Sequence, residues 1–318
     1  MNCDRVLKIF TEGENVVAIT LKKNYASLES TASNLYELTD DDIKRMHQVL
    51  LEIYTDLWAY CEKYQIKLIA GGGTALGAIR HKGFIPWDDD MDLNITRTDY
   101  QKFIKYFDKN LGDKYDLLAP GYKKGSACFL MRVLKKNTTL LNMIDEASPY
   151  PSGIYIDITP IDFAPASKWA QRIKGTVADL LRFSSYSVYW KQYRSNSLEK
   201  FMMNSEGKAY YKFRILVGTF LSFRTAEKWF ASFDRFIRGK KSKYITVAAG
   251  RKKYCGEIYP YDVCFPLKLV TFEDKEIYVY NDMDTYLTGL YGDYLKIPDK
   301  NKREKHLCLK LDFDKDRK

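Results

Sequence analysis

Four carboxylates fall within five residues, at Asp88, Asp89, Asp90 and Asp92. The alternation of apolar and polar residues over 91–95 predicts a strand at the end of this run. Side chains two residues apart on a strand point to the same face, so we expect the Asp90 and Asp92 carboxylates to lie side by side. Two adjacent carboxylates on a rigid strand form an oxygen site suited to Mg²⁺ or Mn²⁺.

A further acid, Asp157, stands alone inside the apolar stretch 154–158. An ionised carboxylate within an apolar strand is costly unless it is paired or coordinates a cation. We therefore predict that Asp157 completes the metal site or binds a second ion. Asp88 is either another ligand or an acid that orients Arg80.

A glycine turn, Gly71-Gly72-Gly73-Thr74, directly follows a short apolar stretch at 66–70 that predicts a buried strand. The backbone N–H groups of such a turn, at the start of a helix, allow phosphate to approach closely. Neither GxxxxGK[ST] nor GxGxxG occurs in the sequence, which excludes a P-loop NTPase. The glycine turn alone is a weak indication of a phosphate-binding site. Asp90 follows Gly73 by 17 residues, and the turn together with the acidic residues is a much more specific indication.

Regular elements must position these groups, and the sequence marks several of them. Thr39 with Asp42, and Thr96 with Asp99, form capping-box patterns that predict two helix starts. Residues 166–238 are expected to be mostly helical, and residues 254–318 to form loops and short elements. The remaining predicted strands are 127–134, 138–143 and 154–158, the last ending at Pro160. This order predicts an α+β fold.

Composition narrows the class of protein. The chain has 318 residues, and its 46% hydrophobic content excludes a wholly disordered chain. The sequence has no apolar run long enough to span a bilayer, and its first residues do not have the layout of a signal peptide. The six cysteines form no CxxC pair. We therefore expect a cytoplasmic protein. With three histidines, His47, His81 and His306, a histidine metal site is disfavoured, and His47 is interpreted as an ordinary helix residue.

The net charge of +10 is concentrated in one segment. Residues 166–253 contain 20 Lys and Arg against 5 Asp and Glu, together with 17 aromatic residues, while the other 230 residues sum to −5. Basic and aromatic residues together suit an anionic membrane surface, a phosphate-rich polymer or a nucleic acid. A solvated basic face over an aromatic core remains an alternative.

Two glycines, an Asp-x-Asp pair and a later strand Asp resemble the nucleotidyltransferase superfamily. The longer run from Gly72 to Asp92 resembles the signature of the LicD family, the phosphocholine transferases, of which fukutin-related protein is a distant relative. Stretches at 132–139, 153–162 and 286–294 are similar to the same family, so the resemblance runs from about residue 40 to 306. It implies a polymerase β-type mixed sheet with flanking helices and an inserted basic helical segment.

The resemblance implies a division of the chain and an activity. The expected parts are a lead-in (1–38), a catalytic core (39–165), the basic segment (166–253) and a C-terminal segment packed on the core (254–318). The implied enzyme is a Mg²⁺-dependent transferase that moves phosphocholine, ribitol phosphate or a related group from a CDP-activated alcohol. The acceptor would be a hydroxyl of a glycan or lipid-linked glycan, such as a teichoic acid or lipopolysaccharide precursor, and CMP would be released.

Two other functions stay open at this point. A nucleotidyltransferase that attaches NMP to a small molecule, protein or RNA would use the same metal carboxylates. A non-catalytic protein that binds nucleic acid or membrane is disfavoured by the acidic triad, and no nucleic-acid partner is expected. Contact of the basic segment with the anionic inner membrane face is a separate hypothesis.

Roles for individual residues follow from phosphoryl transfer. Asp90 and Asp92 are expected to hold the cation, with Asp157 as a further ligand or as the base that accepts the proton of the incoming hydroxyl. Arg80, Lys82 and Arg132 are candidates for charge stabilisation. Trp87 either stacks on a base or choline ammonium or packs in the core, and His81 has a phosphate-binding or a structural role. The predicted substrate-binding residues are Gly72, Gly73, Thr74, Arg80, His81, Lys82, Trp87 and Arg132.

Overall fold

The computed structural model describes residues 35–122, 126–205, 207–299, 303 and 307–314, so most of the predicted lead-in and His306 lie outside the described residues. The helices are α1 (Asp40–Tyr64), α2 (Gly72–Arg80), α3 (Arg97–Leu111), α4 (Lys168–Gln192), α5 (Asn196–Met203), α6 (Lys208–Leu221), α7 (Ala226–Ile237), α8 (Lys253–Gly256), α9 (Tyr261–Cys264) and α10 (Met283–Tyr291). None of these helices is both long and apolar enough to cross a lipid bilayer.

The strands build one large sheet and two small ones. They are β1 (Tyr36–Glu37), β2 (Leu68–Ala70), β3 (Asp92–Thr96), β4 (Tyr115–Leu118), β5 (Met131–Lys135), β6 (Thr139–Leu141), β7 (Tyr155–Ala164), β8 (Tyr244–Thr246), β9 (Ile258–Pro260), β10 (Lys268–Phe272), β11 (Lys275–Val279), β12 (Leu307–Cys308) and β13 (Lys310–Asp312). The main sheet has the order β10-β11-β2-β3-β7-β5-β4, and β8 and β9 continue from β7. β3 pairs in parallel with β7, and β2 in parallel with β11, whereas the other pairs in this sheet are antiparallel. The mixed sheet with flanking helices confirms the predicted α+β class.

The first capping box is formed as predicted. The Asp42 amide donates to Thr39 Oγ1 at 3.2 Å, and the Thr39 amide donates to Asp42 Oδ2 at 2.9 Å. At α3 the Thr96 hydroxyl oxygen accepts from the Asp99 amide at 3.2 Å. These caps satisfy amides that the first helical turn leaves without partners, so both helices start where the sequence indicates.

The strand predicted at 91–95, with Asp90 and Asp92 side by side at its start, begins one residue later than predicted. β3 begins at Asp92, and Asp90 lies on the loop before it. The reason lies in the neighbouring strand. β2 pairs with β3 up to Ala70, and the chain then leaves the sheet through Gly71, so residues before Asp92 have no strand partner on that side.

The prediction that a strand stops at Pro160 was also wrong, because β7 continues to Ala164. The Asp157 amide donates to the Met91 carbonyl, so alternate residues of β7 face β3 and position 160 faces the other way. On that other side the β5 pairing ends at Ile158 and the β8 pairing begins at Asp162. Pro160 therefore occupies a gap where its missing N–H leaves no ladder bond unmade.

The C-terminal segment, expected to form loops and short elements, contributes a strand hairpin to the main sheet. β10 and β11 form this hairpin, and β11 pairs with β2. The Tyr54 hydroxyl of α1 donates to the Glu276 carbonyl at 2.7 Å, and the Phe84 amide donates to Glu273 Oε1 at 2.9 Å. These long-range contacts fasten the tail to the elements around the glycine turn.

The buried side chains among the described residues form two hydrophobic clusters. One joins the main sheet with α1, α3 and α10, and the other joins α4, α5, α6 and α7. Arg97 connects them: its guanidinium donates to both carboxylate oxygens of Asp162 on β7, at 3.0 and 2.5 Å, and to Asp234 on α7 at 2.7 Å. Both carboxylates are nearly inaccessible to solvent.

Replacing Arg97 by Met should lower the free energy of unfolding by about 3–5 kcal/mol, because two buried carboxylates lose their shared cation. Urea unfolding at pH 7 measures this change. Arg97→Met with Asp162→Asn should recover part of the loss, since Asp234 keeps Arg238 at 2.6 Å. As a control, Lys114→Met removes the exposed pair with Asp56 and should leave the midpoint nearly unchanged. Equal effects of Arg97→Met and Lys114→Met would contradict this account.

Candidate functional site

The glycine turn lets two carboxylates approach the start of α2. A Cβ placed on Gly72 would lie 2.9 Å from Asp92 Oδ2, and one on Gly73 would lie 2.6 Å from Asp88 Oδ2. Gly72 also has a positive φ of +43°, which side chains other than glycine rarely adopt. Glycine is therefore required here both for conformation and for space.

Thr74 fixes the start of β3 to this turn. Its Oγ1 accepts from the Asp92 amide at 2.8 Å, and the Gly71 amide donates to the Asp92 carbonyl at 3.0 Å. The Thr74 side chain is itself buried. Both backbone polar groups of Asp92 are thus held by the glycine turn, and this determines where its carboxylate lies.

The acidic residues converge from a loop and two strands. Carboxylate oxygens of Asp88, Asp89 and Asp90 lie within 4.8 Å of one another. Asp92 and Asp157 are register partners in the parallel β3–β7 pair, so their side chains project from the same face. The three loop residues and the two strand residues together bring five carboxylates to the region of the glycine turn.

Burial and mutual repulsion disfavour the charged forms of these acids. Burial, followed by the charges of Asp157 and Asp88, raises the pKa of Asp92 to about 7. Burial and then the charge of Asp92 raise the pKa of Asp90 well above its ordinary value. A divalent cation would relieve this repulsion, and carboxylate oxygens are the ligands that Mg²⁺ and Mn²⁺ prefer.

Asp157 has a cationic partner on the adjacent strand. Arg132 Nε lies 2.8 Å from Asp157 Oδ1, and its Nη2 lies 3.4 Å from Oδ2. Burial raises the pKa of Asp157, and the Arg132 charge acts in the opposite direction. The same guanidinium stacks over the Tyr155 ring at 4.3 Å. Arg132, predicted as a substrate contact, is thus engaged within the protein.

A cavity of about 950 Å³ opens beside these acids. Seven of the predicted site residues line it: Gly72, Gly73, Arg80, Trp87, Asp88, Asp90 and Asp92. Arg80 donates to the Tyr294 carbonyl at 2.7 Å, which holds the segment after α10 over the cavity wall. The glycine turn and the acidic loop therefore face the same open cavity.

Five predicted residues stand outside that lining. Thr74 contacts Asp92 of the lining, and Arg132 contacts Asp157, the register partner of Asp92. His81 ends α2 and meets the Trp87 ring edge-on at 5.9 Å. Lys82 has a φ of +62°, and its carbonyl accepts from the Glu273 amide at 2.8 Å, so its backbone forms the turn that receives the β10–β11 hairpin.

His47, interpreted from sequence as an ordinary helix residue, holds the acidic loop. Its Nε2 lies 2.7 Å from the Asp88 carbonyl oxygen, and its ring stacks on Phe84 with centroids 4.1 Å apart. Burial lowers its pKa. Because a carbonyl only accepts, Nε2 carries the proton. Position in α1 gave no signal for this role, since the partner lies 41 residues away.

The basic wall of the cavity was not predicted from the sequence. Arg182 on α4, the loop residues Arg251 and Lys252, and Lys253 at the start of α8 line it together with Glu257. Glu257 is 2% exposed and accepts from the Lys252 amide at 2.7 Å, which fixes this loop. Burial raises the pKa of Glu257 to about 7, while this amide and the Arg182 charge lower it. The basic segment therefore contributes cations to the same cavity as the acids.

Comparison with known proteins gives a consistent assignment. Residues 65–160 match the family model described as LicD/FKTN/FKRP, nucleotidyltransferase domain. The chain is 29% identical over 274 residues to the lipopolysaccharide cholinephosphotransferase LicD of Haemophilus influenzae, a match that covers 83% of this chain and 95% of that protein. A shorter match, 37% over 93 residues, covers 28% of this chain and 25% of an uncharacterised protein of Rickettsia typhi.

The family match spans the glycine turn, the acidic loop and Asp157. The longer similarity extends beyond it, over most of the chain. Both agree with the mixed sheet and with the cavity that these elements form. Residues 65–160 therefore match the LicD/FKTN/FKRP nucleotidyltransferase domain, and most of the chain is similar to a LicD protein.

Proposed function

We propose that this protein transfers a phospho-alcohol, with phosphocholine favoured, from a CDP-activated donor to a hydroxyl of a cell-surface glycan precursor, and releases CMP. The observation that carries the proposal is one cavity with a glycine turn, clustered carboxylates and a basic loop. A diphosphate donor needs cations and backbone N–H groups around its oxygens, and carboxylates to hold a metal. Similarity to a lipopolysaccharide cholinephosphotransferase over 95% of that protein supports the choice of group and acceptor.

The carboxylates fit a divalent metal ion, since the donor set consists of oxygens whose charges repel one another without it. Asp90 and Asp92 would hold Mg²⁺ or Mn²⁺, with Asp88 and Asp157 as further ligands. When bound, such an ion would neutralise charge on the diphosphate and on the leaving group.

The chain's own residues would bind and orient the donor. Arg251 and Lys252 line the cavity and would pair with phosphate oxygens. The first turn of α2, at Gly72 and Gly73, adds the positive end of the helix dipole. Arg182, which lines the cavity from α4, would also pair with phosphate oxygens. These groups would favour the extra negative charge that develops as the phosphoryl group is transferred.

Asp157 would accept the proton of the acceptor. In this step the acceptor oxygen forms a bond to the phosphorus that carries the alcohol, and the bond from that phosphorus to the CMP oxygen breaks. The hydroxyl proton moves to the Asp157 carboxylate, and CMP leaves with the bonding electron pair. Arg132, 2.8 Å away, would keep the carboxylate oriented and ionised until then.

Trp87 would receive the choline ammonium. Its ring lines the cavity, and the guanidinium carbon of Arg303 lies 3.8 Å from the ring centroid. That contact indicates a ring face suited to a cation, as a quaternary ammonium requires. Tyr291 and Tyr294 line the same cavity and add aromatic surface.

The donor can be identified by thermal unfolding with Mg²⁺ and CDP-choline, CDP-ribitol, CDP-glycerol, CTP or ATP. A ligand at about 100 times its Kd should add about 2.7 kcal/mol to the free energy of unfolding. We expect the largest shift with CDP-choline, and CMP release when a glycan acceptor is supplied. A shift with CTP or ATP but with no CDP-alcohol would instead favour a nucleotidyltransferase.

Asp92→Asn should abolish turnover yet stabilise the metal-free protein. Since the folded pKa of Asp92, about 7, exceeds the ordinary 3.8, its favourable contribution is complete below about pH 4 and is lost as the pH rises through 7. In EDTA at pH 8 the variant should gain roughly 1–3 kcal/mol in free energy of unfolding. It should also lose the stabilisation by Mg²⁺. Asp113→Asn, at an exposed position, is the control and should change neither property.

Trp87→Leu should raise KM for CDP-choline by about 2- to 30-fold, with a smaller effect on kcat, through loss of the cation–π contact. Inhibition by CMP provides the comparison, because CMP lacks the ammonium group and its inhibition constant should stay unchanged. An equal rise for CMP would show that Trp87 contacts the nucleoside. Unchanged constants for both ligands would remove Trp87 from the donor site.

A further inference from the structure

The outer surface of the inserted helices carries large apolar side chains in solvent. Of the twelve exposed large hydrophobic residues among the described ones, seven lie on α4, α6 or the turn after α6. Four of them form what we call the α6 face: Phe213, Leu216, Phe220 and Phe223. Phe220 and Phe223 are 75% and 74% exposed, which is costly in water for side chains of this size.

The three exposed residues on α6 lie on one side of the helix. Phe213, Leu216 and Phe220 follow one another at intervals of three and four, so they share one side of the helix. The opposite side of α6 packs inward through Tyr211, Arg214 and Gly218. A Cβ on Gly218 would lie 2.1 Å from the Ser187 carbonyl oxygen, so α6 lies tightly against α4 and presents a fixed outer face.

The neighbouring helix continues the pattern. Trp169, Ile173 and Leu180 are exposed on α4, at 73%, 45% and 43%, and share one side of that helix. Arg182 lines the catalytic cavity from the other side of the same helix. One side of α4 therefore serves the site and the other faces solvent with apolar side chains.

Charge around the α6 face has a single sign in the sequence. Between Glu206 and Glu227 the chain contains no acidic residue, while Lys208, Lys212 and Arg224 lie in that interval in addition to the buried Arg214. Lys208 and Lys212 are exposed, and long basic side chains beside an apolar face can extend their charged ends to a polar boundary. This combination of exposed aromatics with lysines is typical of surfaces that bind anionic lipid.

We infer that the α6 face docks on the surface of an anionic lipid bilayer, with its phenylalanines in the headgroup region. A second copy of the chain fits less well, because a two-fold interface would place this basic patch against itself. The inference is independent of the proposed transfer reaction, since it uses none of the cavity residues.

Co-sedimentation of the full chain with vesicles tests the inference. At 0.1 M salt, vesicles containing one third phosphatidylglycerol should bind the protein, and pure phosphatidylcholine vesicles should bind at least tenfold less. Phe220→Ala with Phe223→Ala should lower the partition coefficient on anionic vesicles at least tenfold. Lys208→Glu with Lys212→Glu should do likewise, since each basic residue near the surface contributes about 1 kcal/mol, or roughly fivefold in affinity.

The matched control is Lys105→Glu with Lys109→Glu, an exposed pair at the same spacing on α3, which should leave binding unchanged. Thermal unfolding of each variant verifies that it remains folded. Absence of wild-type binding to anionic vesicles overturns the inference, as does equal loss with the α3 pair. The wild-type protein could instead dimerise with increasing concentration and fail to bind vesicles. If Phe220→Ala with Phe223→Ala abolished that dimerisation, the α6 face would be assigned to a second copy of the chain.

Discussion

Repulsion among buried carboxylates is the constraint on which the rest of this site depends. Burial raises the pKa values of Asp90, Asp92 and Asp157, and the charges of neighbouring acids raise those of Asp90 and Asp92 further. Such a cluster stays in place only when its backbone is held independently of its charges. Thr74 and His47 supply that restraint, one at the Asp92 amide and the other at the Asp88 carbonyl. Tertiary packing thus maintains an arrangement that electrostatics alone would disperse.

The cavity has two walls of opposite charge, and they come from distant parts of the chain. The acidic wall is built by the loop before β3 and by the strand pair β3–β7. Arg182 and residues 251–253 build the basic wall, and Glu257 accepts from the Lys252 amide. The proposed binding of a divalent cation and a diphosphate would require charges of both signs in proximity. Helix α4 therefore contributes to the cavity as well as to the outer surface.

Hydrogen bonds and ion pairs between residues distant in the sequence connect these parts of the chain. Arg97 connects the sheet to α7 through two buried carboxylates, and Tyr54 and Glu273 fasten the C-terminal hairpin beside the glycine turn. Tyr286 on α10 adds a further contact, because its hydroxyl accepts from the Gly72 amide at 3.2 Å. The first helical amide of the glycine turn is thereby held by the C-terminal part of the chain. Residues near the end of the chain help to set the geometry of a motif near its beginning.

The sequence by itself determined the α+β class, the capped helix starts and the glycine and aspartate residues that face the cavity. These depend on local spacing, since a capping box, a glycine turn or an alternating strand is specified within a few neighbours. Tertiary structure decided the start of β3, the passage of β7 through Pro160, and the roles of His47, Arg132 and Glu257. Each of these depends on a partner strand, side chain or loop distant in the sequence. Such pairings follow from how the whole sheet assembles, which local patterns do not encode.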